Sequence, residues 1–181
     1  RSTHVSPALL RVLDSLDVPA QVITNVGEVL VQNDGARALM GDLVHFEGLE
    51  RSTYFRWFTD PATRSSYPAE DHELHGRVWV ANLRRQLVAA PDDTFARELV
   101  ETLRERSSEF ATLWDLHEVE SRPHTRKRMT HPLVGELTLH CQLLSAEDDG
   151  QTLLVWTATP GSPDAERLQH LMSLPTATAY H

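Results

Sequence analysis

The length, composition and charge of the chain indicate a globular domain and exclude several classes of protein. Its 181 residues suffice for one domain with a sizeable hydrophobic core, and 40% hydrophobic with 24% charged residues exclude disorder. A net charge of -9 would repel a phosphate backbone, so this segment alone should bind DNA poorly. No apolar run approaches the ~20 residues that cross a bilayer, and there is no signal-peptide pattern, so we expect no membrane insertion. The single cysteine, Cys141, cannot form an internal disulfide, which favours a cytoplasmic location.

The first part of the chain predicts a helix, a β-hairpin and a second, short helix. Ser6-Pro7 precede leucines at helical spacing, which is typical of a capped amphipathic helix. Two β-rich runs, residues 20–24 and 28–32, are joined by residues 25–27, whose Asn and Gly tolerate positive φ. We expect Asp34 to cap a short helix that runs through Leu43.

The middle of the chain predicts a series of helices. Ser52 or Thr53 can begin one helix, and Asp60-Pro61 can begin the next. Three longer helices follow from apolar residues at helical spacing, and Ser107-Ser108 can cap the third of them. These apolar residues are Trp79, Leu83 and Leu87, then Phe95, Leu99 and Leu103, and then Phe110, Leu113, Trp114 and His117.

The helix after Ser52 is unusually rich in aromatic side chains, which are Tyr54, Phe55, Trp57 and Phe58. Two faces of one helix cannot both point into one small core, so some of these side chains could line a ligand cavity. The alternative is that they only pack the helix against the sheet, and the sequence leaves both interpretations open.

The chain returns to strands after Pro123. Strands are predicted at residues 126–131, 136–144 and 152–157, with a turn at 148–150 before the last of them. Strict alternation in the second strand predicts a buried face formed by Leu137, Leu139, Cys141 and Leu143. Residues 161–163 can cap a last helix, and the tail from Pro175 is expected to fray.

The order of these elements predicts an α+β fold. About five antiparallel strands form one sheet, a long helical insertion separates strands 2 and 3, and N- and C-terminal helices flank the sheet. PAS domains have this arrangement. Because the chain shows no repeat and no low-complexity linker, we expect one PAS-like domain over residues 1–174 and a frayed tail over residues 175–181.

The stretch most similar to a metal site is Asp71-His72-Glu73-Leu74-His75. On a helix, Asp71 and His75 lie at i and i+4 and could face one ion. However, the two histidines are three residues apart, whereas an HExxH zinc site needs a spacing of four. A polar helix start is therefore the favoured interpretation, and a metal-dependent enzyme is a less favoured hypothesis.

Other sequence features give no positive sign of catalysis. There is no GxGxxG, Walker or GxSxG pattern, and a lone Cys141 within an alternating strand is more often a space-filling residue than a nucleophile. One cluster of basic residues could bind a phosphate group, although a solvated edge strand explains these charges more simply. That cluster is Arg122, Arg126, Lys127 and Arg128. We expect no enzymatic activity, no cofactor and no metal site.

Several short segments, in this order and spacing, resemble the MmyB-like ligand-binding domain, a PAS-like module that follows a lambda-repressor-type helix-turn-helix in many actinobacterial transcription regulators. The resemblance spans nearly the whole chain. Its main segments are residues 31–39, 58–61, 67–72, 80–84, 108–110 with 113–114, 127–137 and 157–162. The resemblance implies that a DNA-binding domain lies upstream of this chain, and that this domain senses a molecule, pairs protomers, or does both.

The resemblance also implies a ligand and a set of site residues. Fatty acids are plausible ligands on family grounds, and Arg51 could hold a carboxylate through a bidentate pair. The family usually has Arg-Asn before its Phe-x-Asp-Pro segment, whereas this chain has Arg51-Ser52, so the arginine is kept and the asparagine is replaced. The candidate ligand-binding residues are Arg51, Tyr54, Phe55, Phe58, Trp114 and His131.

Two regulatory hypotheses follow from the resemblance. In the first, a small hydrophobic molecule such as a fatty acid binds the domain and changes how a homodimer places its upstream DNA-binding domains. In the second, the domain binds no ligand and serves only to dimerise or to recruit a partner. Leu168, Leu171 and Met172 of the last helix suggest the surface that this second hypothesis needs.

Overall fold

The computed structural model describes residues 3–117, 125–145 and 150–174, which contain eight α-helices and five β-strands. The strands are β1 (Ala20–Thr24), β2 (Val29–Gln32), β3 (Arg126–His131), β4 (Gly135–Ser145) and β5 (Gln151–Thr157). The helices are α1 (Pro7–Asp14), α2 (Asp34–Met40), α3 (Thr53–Thr59), α4 (Pro61–Arg64), α5 (His72–Ala89), α6 (Thr94–Arg106), α7 (Ser108–Asp115) and α8 (Pro163–Ser173). Short 3-10 helices lie at Gly48–Arg51 and Ala69–Asp71.

The five strands form one antiparallel sheet in the order β2-β1-β5-β4-β3. Strands β1 and β5 are paired along their length, with Val22 opposite Leu153 and Ala20 opposite Val155. Six helices, α2 to α7, lie in the chain between β2 and β3, while α1 precedes the first strand and α8 follows the last. The predicted α+β fold, with its five-stranded antiparallel sheet and its helical insertion, is therefore confirmed.

Two compact units make up the chain, and each has its own core. The sheet unit consists of Arg1–Thr24, Val29–His45 and His124–His181. The helical unit consists of Asn25–Glu28 and Phe46–Pro123. The turn that joins β1 to β2 thus belongs to the helical unit, although both of its strands belong to the sheet unit.

In the sheet unit, helices cover apolar residues on both faces of the sheet. On one face, Leu13 of α1 packs in a cluster with Val22, Leu153 and Val155. The other face buries Met129, Leu137, Leu139 and Trp156, which share it through the strand registers. Helix α8 contacts β4, and Gly35 of α2 lies so close to Met172 that a Cβ there would collide with the methionine.

Helix α2 begins one residue earlier than the sequence predicts, because Asn33 is a better-placed cap than Asp34. The Asn33 Oδ1 accepts hydrogen bonds from the amides of Ala36 and Ala20, at 2.9 and 3.0 Å. Its Nδ2 donates to the carbonyl of Val18, so one side chain joins the start of β1 to the start of α2. The helix ends at Met40 rather than Leu43, because Gly41 takes a positive φ of 79°.

Two further expectations about local structure are wrong. Leu143 was expected on the buried face of β4, but it is 44% exposed, because it lies beyond the part of that face where Leu137, Leu139 and Cys141 are covered. His117 was expected to continue α7, but the helix ends at Asp115 and His117 has a φ of 52°. The basic residue Arg122, most of the predicted turn at 148–150 and the tail from Pro175 lie outside the described residues.

The core of the helical unit is rich in aromatic side chains. Helix α3 contacts α4, α5 and α6, so it is surrounded by other helices rather than packed on one side only. The buried residues of this core are Val26, Tyr54, Phe55, Trp57, Phe58, Val80, Leu83, Ala96, Leu99, Val100, Leu103 and Phe110. All four aromatic residues of α3 are among them, which explains how two faces of one short helix can both be apolar.

Candidate functional site

The candidate ligand-binding residues do not all fall in the same unit. Arg51, Tyr54, Phe55, Phe58 and Trp114 belong to the helical unit, where α3 and α7 carry the aromatic side chains. His131 belongs to the sheet unit and ends β3. Five of the six candidates therefore lie in the helical unit.

A series of ring contacts connects α3 to α7. The centroids of Phe58 and Phe110 are 5.1 Å apart in an edge-to-face arrangement, and those of Phe110 and Trp114 are 5.6 Å apart and stacked. Phe58 and Phe110 are buried, whereas Trp114 is half-buried. We call these three residues the phenylalanine cluster. Aromatic pairs at these separations contribute about 0.5–1.5 kcal/mol beyond their buried area, so the cluster fixes α7 on α3.

A second group of rings surrounds Trp57, and we call it the tryptophan cluster. Its members are Tyr54, Trp57, Tyr67, His72, His75 and Trp79. Tyr54 stacks on Trp79 with centroids 4.9 Å apart. Trp57 makes edge-on contacts with the rings of Tyr67, His72, His75 and Trp79. Trp57 is 1% exposed, and its Nε1 has no hydrogen-bond acceptor among the described residues.

Tyr54 is held within the helical unit at its hydroxyl and on its ring. Its hydroxyl accepts a hydrogen bond from the Asn82 Nδ2 at 3.2 Å, and its ring lies directly against Gly27. A Cβ at residue 27 would lie 2.9 Å from two ring carbons, so only glycine fits there without a shift. Burial raises the pKa of the Tyr54 phenol, which therefore stays protonated and keeps its hydroxyl as a hydrogen-bonding group.

Arg51 and Ser52 both make structural contacts to the turn between β1 and β2. The Arg51 Nε lies 3.6 Å from the Oε1 of Glu28, a carboxylate that is fully buried. The Ser52 Oγ donates to the carbonyl of Val26 at 2.5 Å and accepts from the amide of Phe55. The Thr53 amide donates to the Gly27 carbonyl at 2.8 Å. Ser52 thus both caps α3 and fixes the turn.

Glu28 is a site residue that no motif of the sequence marks. It was expected to begin β2, but β2 starts at Val29 and Glu28 instead forms an isolated bridge with Ser52. An acidic residue at the junction of a turn and a buried strand is the signal that could have identified it. A carboxylate that is fully buried needs a cationic or hydrogen-bonding partner, and Arg51 supplies positive charge.

Arginine side chains lie over several rings of the helical unit. The guanidinium carbon of Arg64 is 4.9 Å from the centroid of Trp57, and that of Arg84 is 4.3 Å from the centroid of Trp114. Arg64 also pairs with Glu109 at 2.6 Å. Arg56 lies over Phe46, and its burial lowers the pKa of its guanidinium to about 10, which still leaves it charged at neutral pH.

His131 is engaged at both ring nitrogens within the sheet unit. Its Nε2 lies 2.9 Å from the Ala38 carbonyl, and its Nδ1 accepts a hydrogen bond from the Leu133 amide at 3.2 Å. Because a carbonyl can only accept, Nε2 carries the proton and the imidazole is neutral in this arrangement. These contacts favour a structural role for His131, which ties β3 to α2.

The histidines of residues 71–75, the stretch most similar to a metal site, have other partners. His72 Nε2 lies 2.9 Å from the Tyr67 carbonyl and 3.1 Å from that of Arg64, so it serves as a hydrogen-bond donor. His75 is buried with its ring 4.6 Å from that of Tyr67. Throughout residues 3–117, 125–145 and 150–174, no group of three or more His, Cys, Asp or Glu side chains is arranged to hold a metal ion.

The remaining candidates from the sequence lie in the sheet unit. Cys141 is buried, and burial raises the pKa of its thiol, which disfavours the nucleophilic thiolate. Arg126, Lys127 and Arg128 lie on β3, which is an edge strand of the sheet. The expectation of solvated charge fits the exposed Arg126 but not the half-buried Lys127 and Arg128, and burial lowers the pKa of the Lys127 ammonium. Within the described part of the chain, none of the helices is long and apolar enough to span a bilayer.

Comparison with known proteins identifies the family of the chain. No curated protein matches it. A family model does match, over residues 5–171, and its description is "MmyB-like transcription regulator ligand binding domain". The match covers almost the whole sequence, and it describes a ligand-binding module of regulators rather than an enzyme. The chain therefore belongs to the MmyB-like transcription regulator ligand-binding domain family.

Proposed function

We propose that this domain senses a small hydrophobic molecule, such as a fatty acid, and couples its binding to DNA binding by an upstream helix-turn-helix domain. The observation that carries the proposal is the aromatic core of the helical unit, within a chain whose family is defined by ligand binding. Phe58 and Trp114 supply apolar surface from two helices, and Tyr54 and Phe55 extend it along α3.

The physical chemistry of the site residues suits an apolar ligand. Each methylene that leaves water for an apolar site contributes about 0.8 kcal/mol before ordering costs are subtracted. Aromatic side chains lose little conformational entropy when they contact such a chain, because they have only two side-chain torsions. A long alkyl chain can therefore bind tightly without many polar contacts.

A ligand can regulate only if it binds two states of the protein with different affinities. We propose that these states are two arrangements of a homodimer, which would place the upstream DNA-binding domains at different separations. The net negative charge of this chain disfavours direct contact with DNA, which agrees with the proposal that another domain binds the DNA.

A module that only dimerises is the rival hypothesis, and the last helix gives it less support than the sequence suggested. Leu168 and Leu171 are 6% and 1% exposed, so they are part of the interior of the sheet unit. Met172 packs at Gly35 of the same unit. These residues are not an open apolar surface for a second protomer.

Titration of delipidated protein with saturated fatty acids of increasing length tests the proposal. Native mass spectrometry should show one bound molecule per chain, and calorimetry should show an affinity that rises about three- to four-fold with each added methylene. Trp114→Ala should weaken binding at least ten-fold, whereas Val88→Ala, at a side chain that is 79% exposed, should not change it. Absence of any bound species and of any titratable affinity would contradict the proposal.

A further inference from the structure

Arg84 of α5 is an arginine of the helical unit that, in the part of the chain that the structure describes, lacks both a carboxylate partner and an acceptor for its Nε–H. Within the described residues it forms no ion pair with a carboxylate, and its Nε is buried without a hydrogen-bond acceptor. Burying a hydrogen-bond donor without an acceptor is unfavourable, and more so when the donor is charged. An arginine in this condition is a place where an added anion would gain both a hydrogen bond and a charge pair.

The guanidinium of Arg84 is already held in position. Its Nη2 donates to the carbonyl of Trp114, and its Nη1 lies 3.1 Å from the Nδ1 of His117. Because arginine can only donate, the His117 Nδ1 must be the acceptor. The guanidinium also lies over the Trp114 ring, with 4.3 Å between its carbon and the ring centroid. These contacts use the two Nη groups and leave the Nε–H without a partner.

Three other arginines near the aromatic residues are less suited to take an anion. Arg51 lies beside the buried carboxylate of Glu28, and Arg64 is paired with Glu109. Both would have to share or give up an acidic partner before they could bind a second carboxylate. Arg106, which lies 5.7 Å from the centroid of Phe55, is exposed and therefore strongly solvated.

The neighbours of Arg84 also indicate what kind of anion would fit. Trp114, on which the guanidinium lies, stacks on Phe110, and Phe110 meets Phe58 in the phenylalanine cluster. A charged group at Arg84 is thus next to apolar side chains on α7. An anion with an apolar tail can pair with the guanidinium and also contact the apolar side chains, whereas a small hydrophilic anion can only pair with the guanidinium.

We propose that Arg84 holds the carboxylate of an amphipathic ligand through its Nε–H and an adjacent Nη–H, with the alkyl chain against the phenylalanine cluster. This inference rests on the proposed function, and it moves the polar anchor of the ligand from Arg51 to Arg84. The same arginine also clamps the C-terminal end of α7 through the Trp114 carbonyl, so a test must separate ligand binding from a purely structural role.

The test compares dodecanoate with dodecan-1-ol, which has the same chain length and no charge. Wild-type protein should bind the acid about ten-fold more tightly than the alcohol. Arg84→Gln should reduce this preference to less than about three-fold, mainly by weakening the binding of dodecanoate. Arg84→Lys should keep part of the preference. Arg85→Gln is the matched control, because it removes an exposed charge from the adjacent position of the same helix and should keep the full preference.

Two results of this comparison would overturn the proposal. If Arg84→Gln lowers the affinities for acid and alcohol equally, Arg84 only clamps α7. If Arg51→Gln, rather than Arg84→Gln, removes the preference for the acid, Arg51 is the anchor.

Butyrate separates the anion site from lipid sensing, because it has a carboxylate and almost no tail. Its addition to wild-type protein should shift the NMR resonance of the Arg84 Nε–H, and the shift should persist in Arg85→Gln. A shift in a protein that binds neither dodecanoate nor dodecanol would support the anion site while contradicting the proposed lipid sensor. Absence of any shift would overturn the anion site, whether or not long-chain lipids bind.

Discussion

The Nε of Arg51 lies 3.6 Å from the Oε1 of Glu28, and the Glu28 side chain is fully buried while that of Arg51 is 38% exposed. The two residues are therefore unequal partners. Loss of Arg51 leaves a buried carboxylate with less compensating charge, whereas loss of the Glu28 charge leaves an arginine that water can still solvate. Arg51 is thus more tightly linked to the stability of the helical unit than the sequence suggested.

We expect Arg51→Gln to lower the free energy of unfolding by about 1–3 kcal/mol. A double-mutant cycle with Glu28→Gln should give a coupling energy of about 1 kcal/mol, because the two side chains interact directly. Urea denaturation of the four proteins measures this energy. Additive effects of the two substitutions would show that the pair contributes nothing to stability.

The contact between Gly27 and the Tyr54 ring leads to a second prediction about stability. Gly27→Ala should cost about 1–2 kcal/mol because residue 27 has a φ of +76°, and about 1–3 kcal/mol more because its Cβ would press on the ring. Gly48→Ala is the control, since residue 48 also has a positive φ but nothing within 4 Å of its Cβ position. Equal losses of stability in the two variants would refute the role assigned to the contact.

The raised pKa of Tyr54 predicts a loss of stability in alkali. The folded state keeps this phenol protonated at a pH where the unfolded chain already ionises its tyrosines, at about pH 10. The stabilising effect is complete below that pH and is lost as the pH rises through the raised pKa of the folded state. Tyr54→Phe should remove this component from the pH profile of the unfolding free energy, and an unchanged profile would contradict the assignment.

Two leucines on the same face of β4 should respond very differently to the same change. Leu139 is fully buried, so Leu139→Ala should cost about 2–5 kcal/mol. Leu143 is 44% exposed, so Leu143→Ala should cost less than about 1 kcal/mol. Denaturation of both variants by guanidinium checks the difference. Similar losses would mean that the end of β4 is covered in solution.

The fold could be predicted because local signals and the periodicity of apolar residues agree in most elements. Ser52, Ser107 and Ser162 cap helices where the sequence indicates, and alternation in β4 identifies Leu137 and Leu139 as core residues. Alternation alone could not show where the cover over β4 ends, because that depends on which helices pack on the sheet. It therefore failed at Leu143.

The candidate site was less predictable, because it depends on contacts between residues far apart in the chain. The sequence identified the aromatic residues of α3 and, through the family resemblance, Arg51 and Trp114. It could not show that Glu28 lies beside Arg51, or that Arg84 and Trp114 are in contact. Pairs of this kind form only when helices are packed, and neither spacing nor residue type specifies them.

Hydrogen–deuterium exchange with and without a saturating long-chain fatty acid tests the central claim most directly. If the aromatic residues of the helical unit bind the ligand, amides of α3 and α7 should exchange more slowly in its presence, while those of α1 should change little. Protection that is absent, or that is confined to the sheet unit, would contradict the account.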